Sequence, residues 1–172
     1  MGYRGKLAER QQARLLRRTG LPLVEIDRLL AEGRTRIGRL SEREFLIAGV
    51  ALYAGEGSKG DASVRFVNSD PRMAVFFCSW LRHFYDIDEA RLRLTLYLHQ
   101  GLDLAAAMQY WSALTGVPPS QFRKPYRAVP DPSIRHAKHV HGCITVSYSC
   151  SATHRSIMGL VSALLGDAAI PG

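Results

Sequence analysis

The run "FLIAGVALYAGEG", Phe45 to Gly57, decides how the rest of the chain is read. Ser41-Glu42-Arg43-Glu44 stands just before it, a serine with a glutamate three residues on, the capping-box signature of a helix start. The run itself is apolar and rich in Ala and Gly, so it predicts a helix that lets another backbone come close. Gly57 ends it and leaves Glu56 on the last turn. A helix is negative at that end, where an anion costs about 0.3–1 kcal/mol. A positive partner is therefore expected nearby.

Working toward the N-terminus, residues 1–40 hold ten Lys/Arg against four Asp/Glu, a net +6. The whole chain carries +8, so only +2 is left for the other 132 residues. A basic segment of this kind attracts polyanions, nucleic acid first. Residues 7–19 read as a helix capped by Gly20. Residues 21–33 read as a second, with Leu23, Ile26, Leu29 and Leu30 on one face and Gly33 closing it. A short third element, 34–40, follows and carries Arg34, Thr35 and Arg36. Residues 20–40 resemble the resolvase and homeodomain-like helix-turn-helix pattern, with Asp27 where that pattern usually buries an alanine. The resemblance implies DNA contacts from Arg34 and Arg36. The same residues also fit a basic helical hairpin that packs on the next domain.

Toward the C-terminus, strand and helix patterns alternate. Residues 62–68 predict a strand, and Asp70-Pro71 starts a helix with aspartate as cap and proline at the first helical position. Residues 91–99 predict a second strand and 102–116 a helix. Residues 121–127 give an edge strand, because Pro125 cannot donate to a ladder. Residues 139–149 make a fourth strand, and 152–166 close the chain as a helix. Trp80, Trp111, Phe76 and Phe77 fall on apolar helix faces and are expected in the core. There is no Rossmann or P-loop glycine pattern, so the class is α+β, with a basic segment over 1–40 and a main domain over 41–172.

Composition bounds the setting. At 172 residues and 47% hydrophobic, the chain can bury a core, and no apolar run reaches the length of a membrane span. The first residues lack the apolar stretch of a secretory signal. Three cysteines, Cys78, Cys143 and Cys150, fit a reducing compartment better than a disulfide framework. The expectation is a soluble cytoplasmic protein associated with the nucleoid.

Side chains alternate across a strand, so each strand sorts into two faces. In residues 91–99 the even positions are all leucine, and the odd ones are Arg91, Arg93, Thr95, Tyr97 and His99. In 139–149 one face is Val140, Gly142, Ile144, Val146 and Tyr148. The other is His139, His141, Cys143, Thr145, Ser147 and Ser149. Residues 121–127 put Gln121, Arg123 and Arg127 on one side, Phe122 and Tyr126 on the other, with Lys124 a further cation. Arg65 opposes Val64 and Phe66 in the first strand. None of the three clean polar faces holds an acid, which suits phosphates and base edges rather than plain solvent.

Leu46 to Gly57, LIAGVALYAGEG, resembles the dodecapeptide helix of the LAGLIDADG endonucleases, and the order of elements over residues 42–166 is similar too. The resemblance implies a mixed helix/antiparallel-sheet saddle carrying double-stranded DNA. It implies that two such helices pack side by side, here through Ala48, Ala51, Leu52 and Gly55. It makes Glu56 the catalytic acid and ligand of Mg²⁺ or another divalent cation, the positive partner the helix end needs. A lysine that polarises the phosphate would be Lys138 or Lys59, with Lys124 a further option. Phosphodiester hydrolysis agrees, since Mg²⁺ bridged by carboxylates both activates water and stabilises the phosphorane.

One carboxylate is too few for such a site, and residues 160–168 read as a capped closing helix rather than a second motif. The single motif implies a homodimer through the 45–57 helix. Only Ser58 to Asp61 precede Ala62, so the hairpin expected after the motif is shortened or absent. The alternatives are a sequence-specific regulator of the same fold that does not cut, and an RNA-processing cofactor. A separate reading groups His136, His139, His141 and Cys143, with Cys150 or His154, around zinc. His99 and His154 have the chemistry of bases, but no nucleophile pairs with them.

Overall fold

The structure, a computed structural model, describes residues 23–60, 62–129 and 139–167. The predicted helix over 7–19, His136 and Lys138 lie outside the described residues. The chain divides into two compact units, Met1–Glu44 and Phe45–Gly172.

In the first unit, α1 spans Leu23–Ile37 as one helix. Gly33 does not close it, and the expected third element supplies its last turn, which holds Arg34 and Arg36. Gly38, at φ +57°, makes the turn out and donates its N–H to the Arg34 carbonyl at 2.9 Å. A glycine inside a helix costs only about 1 kcal/mol against alanine, so Gly33 is tolerated mid-helix. The expected break between a second helix and a short third element is therefore absent over 23–37. Arg34 and Arg36 are exposed. The capping box is present: the Ser41 amide donates to the Glu44 carboxylate at 2.7 Å, and the Glu44 amide to Ser41 Oγ at 3.3 Å.

The second unit is α+β. Helix α2 (Glu42–Glu56) leads through β1 (Val64–Asn68) to α3 (Pro71–Phe84). A 3₁₀ turn, Glu89–Arg91, enters β2 (Leu92–His99), and α4 (Leu104–Thr115) comes after it. A second 3₁₀ turn, Pro119–Gln121, precedes β3 (Tyr126–Ala128) and β4 (Cys143–Tyr148), and α5 (Ser151–Ser162) comes last. The strands form one sheet in the order β1-β4-β2-β3. β4 is antiparallel to both neighbours, but β2 and β3 run parallel. The all-antiparallel sheet implied by the resemblance is thus corrected to a mixed one.

Alternation predicts the inner face of this sheet correctly. Leu92, Leu94, Leu96 and Leu98 are buried with Val64, Phe66, Ile144, Val146 and Tyr148 against Tyr53, Phe77, Trp80, Trp111 and Ile157 of the helices. Each such leucine contributes about 1.5–3 kcal/mol by leaving water.

Alternation fails over 121–127. Phe122 bridges Leu94, while Tyr126 pairs with Tyr97, so the offset between the strands grows by one residue across Pro125. That extra residue inverts the facing of the chain beyond the proline. Tyr126 lies on the side of Tyr97, and Arg127 on the side of Leu98. The fourth strand is likewise shorter than expected. Residues 139–142 form a turn, closed by the Gly142 amide on the His139 carbonyl at 2.8 Å, so His139 and His141 are not on a strand face.

Asp70 caps α3 as its sequence predicts: its carboxylate accepts the Arg72 amide at 2.9 Å and pairs with the Arg72 guanidinium at 2.5 Å. The hydrogen bond from that guanidinium is the main reason the carboxyl titrates below its ordinary range. A depressed folded pKa means the stabilisation is complete above the unfolded value, near pH 4, and is lost as pH falls through the folded one. Asp70→Ala is expected to cost about 1 kcal/mol at pH 7. Urea midpoints of mutant and wild type, compared at pH 7 and in acid, should converge as the pH drops.

Candidate functional site

The registers lay out the sheet face opposite the core. Arg65, Ser147 and Arg93 form one row across β1, β4 and β2. Val67, Thr145 and Thr95 form the next, and Cys143, Tyr97 and Tyr126 a third. His99 lies beyond, beside Ala128. No Asp or Glu occupies any of these positions. Arg65 is exposed and its Nε donates to Ser63 Oγ at 3.0 Å. Arg93 folds back along its strand to the carbonyls of Ala90 and Leu92. Arg123 and Lys124 are exposed on the segment leading to β3.

Four predicted cations and imidazoles fall elsewhere. Arg91 belongs to the 3₁₀ turn; it lies over the Tyr148 ring at 5.4 Å and donates to the Ser149 carbonyl. Arg127, on the inner side, donates to the Leu102 carbonyl at 3.1 Å. His141 stacks on Tyr110 of α4, centroids 3.8 Å apart, and its own carbonyl accepts Trp111 Nε1–H at 2.7 Å. His139 is exposed on the same turn. His154 is buried in α5. Among the described residues no three His, Cys, Asp or Glu side chains are grouped to hold a metal ion.

Helix α2 has two faces of different kind. Gly49, Val50 and Tyr53 face the core, and Gly49 lies against Trp80 so closely that a Cβ there would sit 2.1 Å from the ring. Ile47, Ala51 and Gly55 are exposed, with Ala48 and Leu52 partly so, and a Cβ on Gly55 would meet nothing within 4 Å. Of the predicted contact residues, Ala51 and Gly55 are therefore open, while Ala48 is half-buried and Leu52 packs partly against the core.

At the end of α2, Glu56 is exposed. The Cys143 thiol is pushed up chiefly by burial and in part by the Glu56 carboxylate, which puts that negative charge within electrostatic reach of the open face. Lys59 answers the need of the helix end: its Nζ donates to the carbonyls of Tyr53 at 3.1 Å and Gly57 at 2.6 Å. A cation on the last carbonyls of a helix is favoured by both hydrogen bonding and the dipole. The positive partner is thus present in the chain itself.

The segment after Glu56 is held firmly. Gly57 bridges Phe66, and the Ser58 amide donates to the Arg65 carbonyl at 2.9 Å, so the chain folds straight back along β1. The Ser58 carbonyl accepts the Tyr53 hydroxyl at 2.8 Å, and His154 Nε2 lies 3.3 Å from it. Tyr53 and His154 are therefore positioning residues that sequence reasoning missed. The buried facing of Tyr53 was readable from its helical spacing to Val50; the approach of His154, from a helix a hundred residues away, was not. Tyr126 was also missed, and Pro125 just before it was the available signal.

No protein-family model matches the chain, and the search of curated proteins finds no match. No helix among the described residues is long and apolar enough to cross a membrane.

Proposed function

We propose that this chain binds double-stranded DNA on the open sheet face, as a homodimer through α2, and cuts it in a divalent-metal-dependent reaction. The observation that carries the reading is the open face itself: arginines, threonine hydroxyls and tyrosine rings in register, without a carboxylate, and with the exposed acid that ends α2 within electrostatic reach. Such a face attracts phosphates and offers donors to base edges. The LAGLIDADG resemblance, with its saddle geometry, is part of this proposal, as is a cytoplasmic, nucleoid-associated location.

Glu56 fits a hard cation in kind. It is an exposed oxygen donor, and no ion pair engages it among the described residues. One chain supplies one carboxylate, so the site needs a second copy, and the stripe of Ile47, Ala51 and Gly55 gives two helices room to meet. Bound Mg²⁺ would supply an activated water and charge stabilisation. The chain's own part is to hold Glu56 at the helix end through the Tyr53, Ser58 and His154 contacts.

Lys59 favours a second reading. Its ammonium is engaged with helix carbonyls rather than directed at a phosphate. That suits a non-cleaving, sequence-specific regulator of the same architecture.

One experiment separates these. The protein is allowed to select from a randomised duplex library in Ca²⁺, then moved into Mg²⁺, and the ends are sequenced. Cuts at one enriched motif, reduced about a hundredfold or more by Glu56→Gln, mark the nuclease. An enriched motif that stays intact marks the regulator. No enrichment removes the open face from consideration as a DNA surface.

A further inference from the structure

Tyr97 and Tyr126 stand in register on β2 and β3 with their rings stacked, centroids 4.8 Å apart and planes 19° from parallel. Tyr97 is 44% exposed and Tyr126 59%. The core uses the same geometry quite differently: Phe66 and Phe77 stack at 4.4 Å and are both fully buried. Two large rings held in a stack at the surface lose contact area that the core would have supplied. His99 meets Tyr97 edge-on at 6.0 Å, which braces that ring from the strand side. Tyr126 is on the edge strand, and its second ring face makes no ring contact among the described residues.

The spacing of the two rings is that of a closed stack, so a third ring cannot enter between them. A flat ligand that joins the stack does so on the outer side of Tyr126, the more exposed of the two rings. Arg123 and Lys124 are exposed just before Tyr126, and the registered open-face positions hold no carboxylate. A planar aromatic group carried on a chain of anions matches this combination. A nucleobase on its phosphate backbone is such a group, and base-on-tyrosine stacking with flanking cations is how unpaired strands are held. Inside a duplex both faces of every base are already covered by neighbours. The stack on Tyr126 is therefore open only to a base that is bulged, looped or flipped out.

We infer that the β2–β3 edge of the open face receives one unpaired base, stacked on Tyr126, beside the duplex. This rests on the proposed reading of that face as a nucleic-acid surface and adds the class of substrate it takes: DNA with a local break in pairing. Tyr97 holds the Tyr126 ring in place, and Arg123 and Lys124 meet the phosphates on either side.

The test uses the full chain and fluorescence anisotropy at low salt. One labelled duplex is perfectly paired; its twin carries a single unpaired adenine. The bulged duplex is expected to bind about tenfold more tightly, the effect of stacking one base. Tyr126→Ala should erase that preference, so that the bulged and paired duplexes bind that variant alike, while Tyr126→Phe, which keeps the ring, should retain it. Equal binding of both duplexes by the wild type overturns the inference and leaves duplex recognition standing. A preference that survives Tyr126→Ala overturns the role of this stack. Binding of neither duplex removes the inference together with the reading beneath it.

Discussion

Trp80→Ala is expected to lower the unfolding free energy by about 4 kcal/mol, the cost of truncating a fully buried aromatic ring. Trp80 is 0% exposed, and its contacts reach beyond its own helix. Its Nε1–H donates to the Leu46 carbonyl of α2 at 3.2 Å, and its ring lies 6.0 Å from Phe77 and 5.7 Å from Tyr85. Truncation removes that donor and opens a void between α2 and α3, and the surrounding rings refill it only in part. The pairing with Gly49 allows a sharper check. Gly49→Ala alone puts a Cβ 2.1 Å from the indole and is expected to cost about 3 kcal/mol by overpacking. In the Trp80→Ala background that clash is gone, so the two losses should not add. Urea unfolding of both single variants and the double variant measures the coupling, and simple additivity would show that the two residues do not meet as described.

Gly142→Ala is expected to cost about 3 kcal/mol, from two sources of similar size. Gly142 has φ +69°, which disfavours any side chain, and a Cβ would lie 2.2 Å from the backbone oxygen of Tyr97. That neighbour is main chain within β2 and cannot rotate away. Relief requires moving β4 off β2 at the pair Tyr97 and Cys143, so the open face should lose order together with stability. Gly101 serves as control, since it has φ +86° but nothing within 4 Å of its Cβ position. Gly101→Ala should show only the backbone cost, about 1–2 kcal/mol. If the two variants unfold at the same urea concentration, the close approach of β4 to β2 is not what Gly142 serves.

Local rules read well wherever a structural feature lies within a few residues. The Ser41 and Asp70 caps, the four leucines of β2 and the outward facing of Arg65, Arg93, Thr95 and Tyr97 all arise from spacing and side-chain chemistry. The errors have a common form. Gly33 reads as a stop in the sequence, but whether a glycine ends a helix depends on the conformation it adopts, and here Gly38 takes the turn. Arg127 and Tyr126 exchange faces because the register changes across Pro125, a shift set by the partner strand. His139 and His141 leave the strand because Gly142 turns the chain first.

The candidate site divides in the same way. Glu56 at the end of a small-residue helix was legible, and so was the demand for a cation beside it, since both come from the helix dipole and composition. Which cation answers it was not legible: Lys59 reaches back to the Tyr53 and Gly57 carbonyls only because Gly57 and Ser58 fold along β1.

By itself, then, the sequence determined the α+β class, the helix starts and the split of β2 into an apolar and a donor-rich face, because these depend on periodicity and on groups a turn apart. Only the tertiary structure decided the parallel β2–β3 pair, the Tyr97–Tyr126 stack, the packing of Gly49 on Trp80 and the clamp of Tyr53 and His154 on Ser58. Each of these joins residues from separate elements, and its geometry is set by how whole strands and helices pack rather than by the chemistry of any one stretch of chain.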